Sequence, residues 1–215
     1  MSRAERTTLA APAGDLETLI ETPPAVAGES QALRAFGVVC HPHPLYGGTL
    51  DNKVVWALAR AFQQCGAATI RFNFRGVGAS GGSYDEGRGE TDDTLAVIAH
   101  GRQRWPQAAL WLAGFSFGGV VAIQAAARAQ PACLVTVAPG ITRIAVDPAA
   151  VPACPWLIVQ GGADDVVPPD VVIAWARTLT PSPQLTVLPG AGHFFHGRIN
   201  ELRDTVLAFM ARLPR

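Results

Sequence analysis

A serine flanked by glycines lies where a short apolar run gives way to a stretch of small residues, in Gly114-Phe115-Ser116-Phe117-Gly118. A serine on a tight strand-to-helix turn needs glycine two residues away on each side, because a Cβ there would collide with neighbouring backbone. The helix that follows would direct its free N–H groups at a substrate oxygen carrying negative charge. The pentapeptide alone could be a plain glycine-rich turn, but its position between a strand and a helix favours a nucleophile.

A serine hydroxyl becomes an effective nucleophile only when a base takes its proton, and that base is usually oriented by a carboxylate. Both groups follow later in the chain, each just after an apolar run: Asp164 and Asp165 first, then His193. Because the carboxyl ends of parallel strands meet at one edge of a sheet, we expect these side chains near Ser116. The sequence therefore predicts a catalytic Ser, His and Asp, with Asp164 and Asp165 both candidates for the acid.

Short apolar runs alternate with longer amphipathic stretches, which predicts a parallel sheet covered by helices on both faces. An antiparallel hairpin over residues 7–11 and 16–21, with a turn containing Pro and Gly, precedes this part. The later predicted strands cover residues 36–40, 67–72, 109–113, 134–138, 156–159 and 184–188, and the predicted helices cover residues 52–65, 90–105, 117–129, 170–179 and 199–212. This order predicts a three-layer α/β fold.

Composition limits what the protein can do. The chain has 215 residues, of which 49% are hydrophobic and 16% charged, and no linker or repeat divides it, so we expect a single domain over residues 1–215. Acidic and basic residues number 17 each, which gives no footprint for nucleic acid or anionic lipid. We find no signal peptide, no apolar run long enough for a bilayer and no paired cysteines, and expect a cytoplasmic protein without cofactors. Its low charge is compatible with a homodimer.

The order Ser, Asp, His resembles that of the α/β-hydrolase family, and two further motifs resemble those of a group of small bacterial hydrolases without a cap domain. These are His-Pro-His-Pro-x-x-Gly-Gly, here residues 41–48, and Arg-Gly-x-Gly-x-Ser, here residues 75–80. The resemblance covers nearly everything from Phe36 onward. It implies an α/β-hydrolase fold in which Ser116 is the nucleophile, His193 the general base and Asp164, rather than Asp165, the orienting acid.

Acyl transfer also needs two N–H donors directed at the developing oxyanion. The amide of Phe117, the residue after the nucleophile, is expected to be the first. The second would come from the loop at residues 41–46, where the prolines have no N–H and the available donors are His43, Leu45 and Tyr46. We predict Leu45, with Tyr46 as the next choice.

Four histidines are expected to lie in converging loops and offer an alternative, a metal site: His41, His43, His193 and His196. The ligand pattern argues against it, because there is no His-Glu-x-x-His and no aspartate-histidine pair of the binuclear hydrolases. We expect His41 and His43 to bond to loop backbone instead.

Residues 76–81 satisfy Gly-x-Gly-x-x-Gly, the pattern of a dinucleotide-binding turn. That motif requires a helix to begin at once, whereas the following residues are too rich in glycine to be helical. We predict a loop, with Arg75 anchored by Asp92 or Asp93.

The connection over residues 139–155 is too short for a cap, which predicts an open site. Six apolar residues are candidates for its rim: Leu45, Tyr46, Phe115, Phe117, Phe194 and Phe195, of which Phe115 is the best candidate to point into the core. The function predicted is hydrolysis of short-to-medium carboxylic esters through an acyl-enzyme. A thioesterase, an acyltransferase or a C–C bond hydrolase would use the same triad, and a non-catalytic scaffold binding a small ligand is the alternative of another class.

Overall fold

The structure is a computed structural model that describes residues 3–23, 33–146 and 151–213. Its strands are β1 (Arg3–Leu9), β2 (Leu16–Thr22), β3 (Ala35–Cys40), β4 (Ala68–Phe72), β5 (Ala109–Phe115), β6 (Cys133–Val137), β7 (Trp156–Gly161) and β8 (Gln184–Leu188). They form one sheet in the order β1-β2-β4-β3-β5-β6-β7-β8. The six strands β3 to β8 are parallel, and β1 and β2 add an antiparallel hairpin beside β4.

Helices cover both faces of this sheet. They are α1 (Lys53–Gln64), α2 (Arg88–Arg104), α3 (Phe117–Ala129), α4 (Pro169–Thr178) and α5 (Ile199–Met210). Apolar residues of α1 and α5 form one core with their face of the sheet, and those of α2, α3 and α4 form the other. The predicted three-layer α/β fold with an N-terminal hairpin is confirmed.

Predicted and observed elements agree within two residues at each end, except at the start of β1. That strand begins at Arg3, four residues earlier than expected, as the first residue of the ladder that pairs Arg3 with Thr22. It is an edge strand whose side chains, apart from Leu9, are exposed or half-buried. An edge strand buries little, so its sequence carries no apolar alternation from which its start could be predicted. Most of the predicted connector between β2 and β3, residues 24–32, lies outside the described residues.

The parallel strands place the predicted site residues at one edge of the sheet. The loops after β3, β5, β7 and β8 carry His43, Ser116, Asp164 and His193 respectively. Between β6 and β7 lie only residues 138–155, too few for a cap domain. Within the described parts of the chain, no helix combines the length and apolarity needed to cross a membrane.

Candidate active site

Ser116 occupies the single-residue turn between β5 and α3 with φ +56° and ψ −118°. A positive φ is costly for a residue with a Cβ, and it persists only where the surroundings enforce it. Here the Ser116 N–H donates to the Val137 carbonyl at 2.9 Å, and the Ser116 carbonyl accepts from the Gly140 N–H at 3.0 Å. The end of β6 and the loop after it thus fix the backbone of Ser116.

The two flanking glycines are required by sterics, as predicted. A Cβ on Gly114 would lie 2.0 Å from the carbonyl oxygen of Gly118, and a Cβ on Gly118 would lie 2.3 Å from that of His41. Both contacts are with backbone, which cannot move aside as a flexible side chain would. The turn after β5 therefore packs directly against the loop after β3.

The structure brings Ser116, His193 and Asp164 into one hydrogen-bonded series. His193 Nδ1 lies 2.8 Å from Asp164 Oδ2, and His193 Nε2 lies 3.1 Å from Ser116 Oγ. Since the ionised carboxylate only accepts hydrogen bonds, Nδ1 carries the proton and Nε2 is free to accept from the serine hydroxyl. This tautomer is the one in which His193 can act as a base toward Ser116.

Asp164, and not its neighbour Asp165, receives the hydrogen bonds that make an orienting acid. Its Oδ1 accepts from the N–H groups of Val166 at 2.9 Å and Val167 at 2.8 Å, and its Oδ2 accepts from Gln160 Nε2 at 3.0 Å. Asp165 is exposed. Burial alone would raise the pKa of Asp164, but the hydrogen bonds from His193 and the two amides outweigh it and hold the pKa below its ordinary value.

Sequence reasoning missed Gln160. This residue is fully buried near the end of β7, and its amide also donates to the Val167 carbonyl at 3.0 Å. It therefore bridges the acid and the loop that wraps the acid. The available signal was a polar side chain at the end of an otherwise apolar strand.

The structure argues against Leu45 as the second oxyanion donor. Its N–H donates to His43 Nδ1 at 3.3 Å, and its side chain is 67% exposed outside the cavity that contains Ser116. Tyr46, the next choice, uses its N–H on the His43 carbonyl at 3.1 Å. Among the described residues, the N–H of His43 has no acceptor, and neither has that of Phe117 at the start of α3. The amides of Leu45 and Tyr46 are occupied because the chain forms a one-turn 3-10 helix over Pro44–Tyr46, in which both amides donate to His43.

The prediction that His41 and His43 bond to loop backbone is confirmed. His41 is fully buried, its Nδ1 lies 2.6 Å from the Pro42 carbonyl, and its Nε2 accepts from the Phe74 N–H at 3.0 Å. Burial lowers the pKa of His41 to about 4, so the ring is neutral at pH 7. With both nitrogens engaged, His41 has no lone pair for a metal. In the described part of the chain, no three His, Cys, Asp or Glu side chains are grouped to hold one.

The glycine-rich segment after β4 is a loop, as predicted, and α2 begins only at Arg88. Arg75 at its start forms a bidentate pair with Asp93, with distances of 2.7 Å and 3.0 Å, and the Arg75 N–H donates to the same carboxylate at 3.0 Å. Asp92, the other candidate, pairs with Arg128 instead. The glycine-rich motif over residues 76–81 is therefore part of a loop that the Arg75–Asp93 pair anchors.

A cavity of about 280 Å³ opens in front of the serine. Its lining includes Pro42, His43, Tyr46, Ser116, Phe117, Arg143, Ile144, Val167, His193 and Phe194. Of the six predicted apolar rim residues, Tyr46, Phe117 and Phe194 line the cavity. Phe115 is fully buried in the core as expected, and Phe195 is also fully buried, which corrects its placement at the rim.

The chain is similar in sequence and in structure to several known proteins. A family described as serine aminopeptidase, S33, matches residues 47–150. A crystal structure from Xanthomonas campestris, described as an α/β serine hydrolase without lid, is 39% identical, covers 99% of this chain and 96% of its own, and has a TM-score of 0.90. An α/β serine hydrolase homologue from Coxiella burnetii is 42% identical over 95% and 96% of the two chains, with a TM-score of 0.88. An uncharacterized protein of Rickettsia prowazekii is 33% identical over 180 residues, 79% of this chain and 75% of that protein.

Proposed function

We propose that this chain, which belongs to the α/β-hydrolase family of serine hydrolases, cleaves carboxylic esters of short-to-medium acyl chains through an acyl-enzyme on Ser116. One observation carries the proposal: the series of hydrogen bonds from Asp164 through His193 to Ser116 reaches the wall of an open, largely apolar cavity. Such a series activates a serine only if a substrate carbonyl can approach it, and the cavity provides that approach.

In the acylation step, His193 Nε2 takes the proton of Ser116 as Oγ attacks the ester carbonyl carbon. The resulting imidazolium is stabilised by Asp164, whose lowered pKa keeps the carboxylate ionised. His193 then gives that proton to the alkoxide oxygen of the leaving alcohol as its bond to the carbonyl carbon breaks. The acyl group is left on Ser116 Oγ.

The tetrahedral intermediate carries a negative charge on the former carbonyl oxygen. We assign its stabilisation to the N–H groups of Phe117 and His43, which have no acceptor among the described residues. The N-terminus of α3 adds a favourable dipole at the same place. Because close packing fixes both loops, these donors are held in place before the substrate arrives.

Deacylation repeats the chemistry with water. His193 accepts a proton from the water that attacks the acyl carbon, then returns the proton to Ser116 Oγ as the acid departs. In the part of the chain that the structure describes, no cap domain covers the site, so water can reach the acyl-enzyme directly. The apolar part of the cavity, which includes Ile144, Val166 and Phe194, would receive the acyl chain.

The test is hydrolysis of 4-nitrophenyl esters from acetate to decanoate, together with labelling by a fluorophosphonate. Wild type should be labelled and should turn over the shorter members, whereas Ser116→Ala should lose labelling and at least about 10⁴-fold of kcat/KM. Ser182→Ala is the matched control, because Ser182 is exposed at the opposite edge of the sheet, just before β8. It should behave as wild type.

Acyl-CoA thioesters in the same series separate an esterase from a thioesterase. Labelling of Ser116→Ala to the wild-type level would refute Ser116 as the nucleophile. Labelling without turnover of any ester or thioester would overturn hydrolysis and leave acyl transfer. Absence of both would favour the non-catalytic scaffold.

A further inference from the structure

Arg143 lines the same cavity as Ser116 and His193, although the proposed hydrolysis does not use it. Its backbone N–H donates to the Gly140 carbonyl at 3.1 Å, and the Gly140 N–H donates to the Ser116 carbonyl at 3.0 Å. A short turn therefore connects Arg143 to the nucleophile's own backbone. This connection places the backbone of Arg143, whose side chain is exposed, near the reacting centre.

The guanidinium of Arg143 rests on Tyr46. Its central carbon lies 5.3 Å from the centroid of the Tyr46 ring, and Nη1 lies 3.4 Å from the Tyr46 hydroxyl. The Tyr46 ring in turn packs against His43, with 4.7 Å between ring centroids. Stacking of this kind leaves the edge of the guanidinium, with its N–H donors, available to another group.

No carboxylate among the described residues pairs with Arg143. Some other arginines do have such partners, as Arg75 has Asp93 and Arg128 has Asp92. The described residues that line the cavity include no Asp or Glu. Asp164, the acid hydrogen-bonded to His193, does not line the cavity and already accepts four hydrogen bonds.

We propose that the substrate is an ester bearing an anionic group, a carboxylate or a phosphate, which Arg143 binds while the ester carbonyl lies at Ser116. Arginine suits this task because its planar N–H groups match two oxygens of a carboxylate or phosphate. The inference rests on the proposed function and adds a substrate class to it. Neutral esters of the same size should be turned over less efficiently.

Matched substrates test this proposal on both sides of the scissile bond. On the acyl side, mono-4-nitrophenyl adipate is compared with 4-nitrophenyl hexanoate. On the leaving side, 4-acetoxybenzoate and 4-acetoxyphenyl phosphate are compared with methyl 4-acetoxybenzoate, and each kcat/KM is divided by the spontaneous hydrolysis rate. The two leaving-side anions distinguish a carboxylate from a phosphate preference.

We expect wild type to favour the anionic member of at least one comparison by about fivefold to tenfold, through KM, and less so at high salt. Arg143→Gln should remove the preference while still hydrolysing the neutral ester, and Arg143→Lys should retain part of it. Arg177→Gln is the control for net charge, because Arg177 is exposed near the end of α4 and does not line the cavity. It should keep the wild-type preference.

A preference that survives in Arg143→Gln, or one absent from wild type in every comparison, would overturn the assignment to Arg143. In both cases the neutral ester is still hydrolysed, so the proposed function stands. Failure of wild type to hydrolyse any ester would instead reject the proposed function, and this inference with it.

Discussion

The carboxylate of Asp164 receives four hydrogen bonds, from the ring of His193, two backbone amides and the side chain of Gln160. The amides belong to Val166 and Val167 in the loop that follows, so the loop closes around the acid. Gln160 is the only one of these donors on a strand, and β7 is held on both sides by β6 and β8. It therefore ties the acid to the rigid part of the sheet.

Replacing Gln160 with leucine should weaken catalysis without weakening substrate binding. The change removes a donor to Asp164 Oδ2 and leaves the buried Val167 carbonyl without its donor, which costs about 1–3 kcal/mol of folding free energy. Since Gln160 does not line the cavity, we expect kcat to fall about tenfold with KM nearly unchanged. Steady-state kinetics and urea denaturation measure the two effects.

Gln63→Leu is the matched control, because Gln63 also donates a side-chain hydrogen bond, to Thr69 at 2.7 Å, but lies at the last turn of α1 away from the triad. It should lose some stability and keep its kcat. A Gln160→Leu enzyme with wild-type kcat would show that the backbone amides alone position Asp164.

Single residues divide clearly into those that the sequence could predict and those that it could not. The proximity of Ser116 and His193 was predictable because each directly follows an apolar run in a glycine-rich turn, a local pattern. The proposal of His43 instead of Leu45 as an amide donor could not be made from sequence, because it depends on how three consecutive amides turn in a 3-10 helix. The hydrogen bond from Gln160 to Asp164 was also not predictable, because the position of Asp164 depends on the conformation of the loop after β7.

At the scale of elements, the turn after β5 and the loop after β3 are in backbone contact. Gly118 in the first turn of α3 approaches the carbonyl oxygens of His41 and Cys40 closely enough that an added Cβ would lie 2.3 Å and 2.6 Å from them. This contact sets the distance between the nucleophile and the loop that contains His43. We therefore expect the turn after β5 and the loop after β3 to move as one unit.

Gly118→Ala should be one of the most damaging small substitutions in this chain. A Cβ at those distances forces the turn and the loop apart, and we expect a loss of more than about 3 kcal/mol in the free energy of unfolding. Gly66→Ala is the matched control: Gly66 has φ +86° but nothing within 4 Å of an added Cβ, so only about 1–2 kcal/mol of backbone strain applies. Urea denaturation of both variants separates steric overlap from strain, and equal losses would refute the close contact.

The N-terminal hairpin is an element whose role the sequence did not reveal. Its residue Glu17 accepts hydrogen bonds from Asn73 Nδ2 at 2.7 Å and from the Ala79 N–H at 3.1 Å, both in the loop after β4. Ser80 Oγ accepts from the Glu17 N–H at 2.9 Å. The hairpin was predictable from the turn with Pro12 and Gly14 that joins its two short strands. Its docking beside β4 was not, because strand order depends on contacts distant in sequence.

At the scale of the whole molecule, His41 contacts three parts of the fold: its own loop, the segment after β4 and the first turn of α3. Its ring bonds to the carbonyl of Pro42 in its own loop and to the N–H of Phe74 after β4, and its carbonyl faces Gly118 in α3. The neutral ring satisfies both bonds, with Nδ1–H as donor and Nε2 as acceptor. A protonated ring would lose the acceptor and place a charge in the core.

Global stability should therefore fall as the pH drops from neutral toward 4. The pKa of His41 is about 4 in the folded chain and about 6.5 in the unfolded chain, so between these values the unfolded state binds more protons and acidification favours it. Asp164, whose pKa lies below its usual 3.8, also loses its contribution on acidification, but at lower pH. From His41 alone we expect roughly 2 kcal/mol less unfolding free energy at pH 5 than at pH 7.

Urea denaturation at both pH values measures this difference in unfolding free energy. His41→Gln should reduce the difference by that amount. The control variant His196→Gln, which removes an exposed imidazole, should not reduce it. A His41→Gln protein with the full wild-type pH dependence would mean that His41 is not the group that titrates.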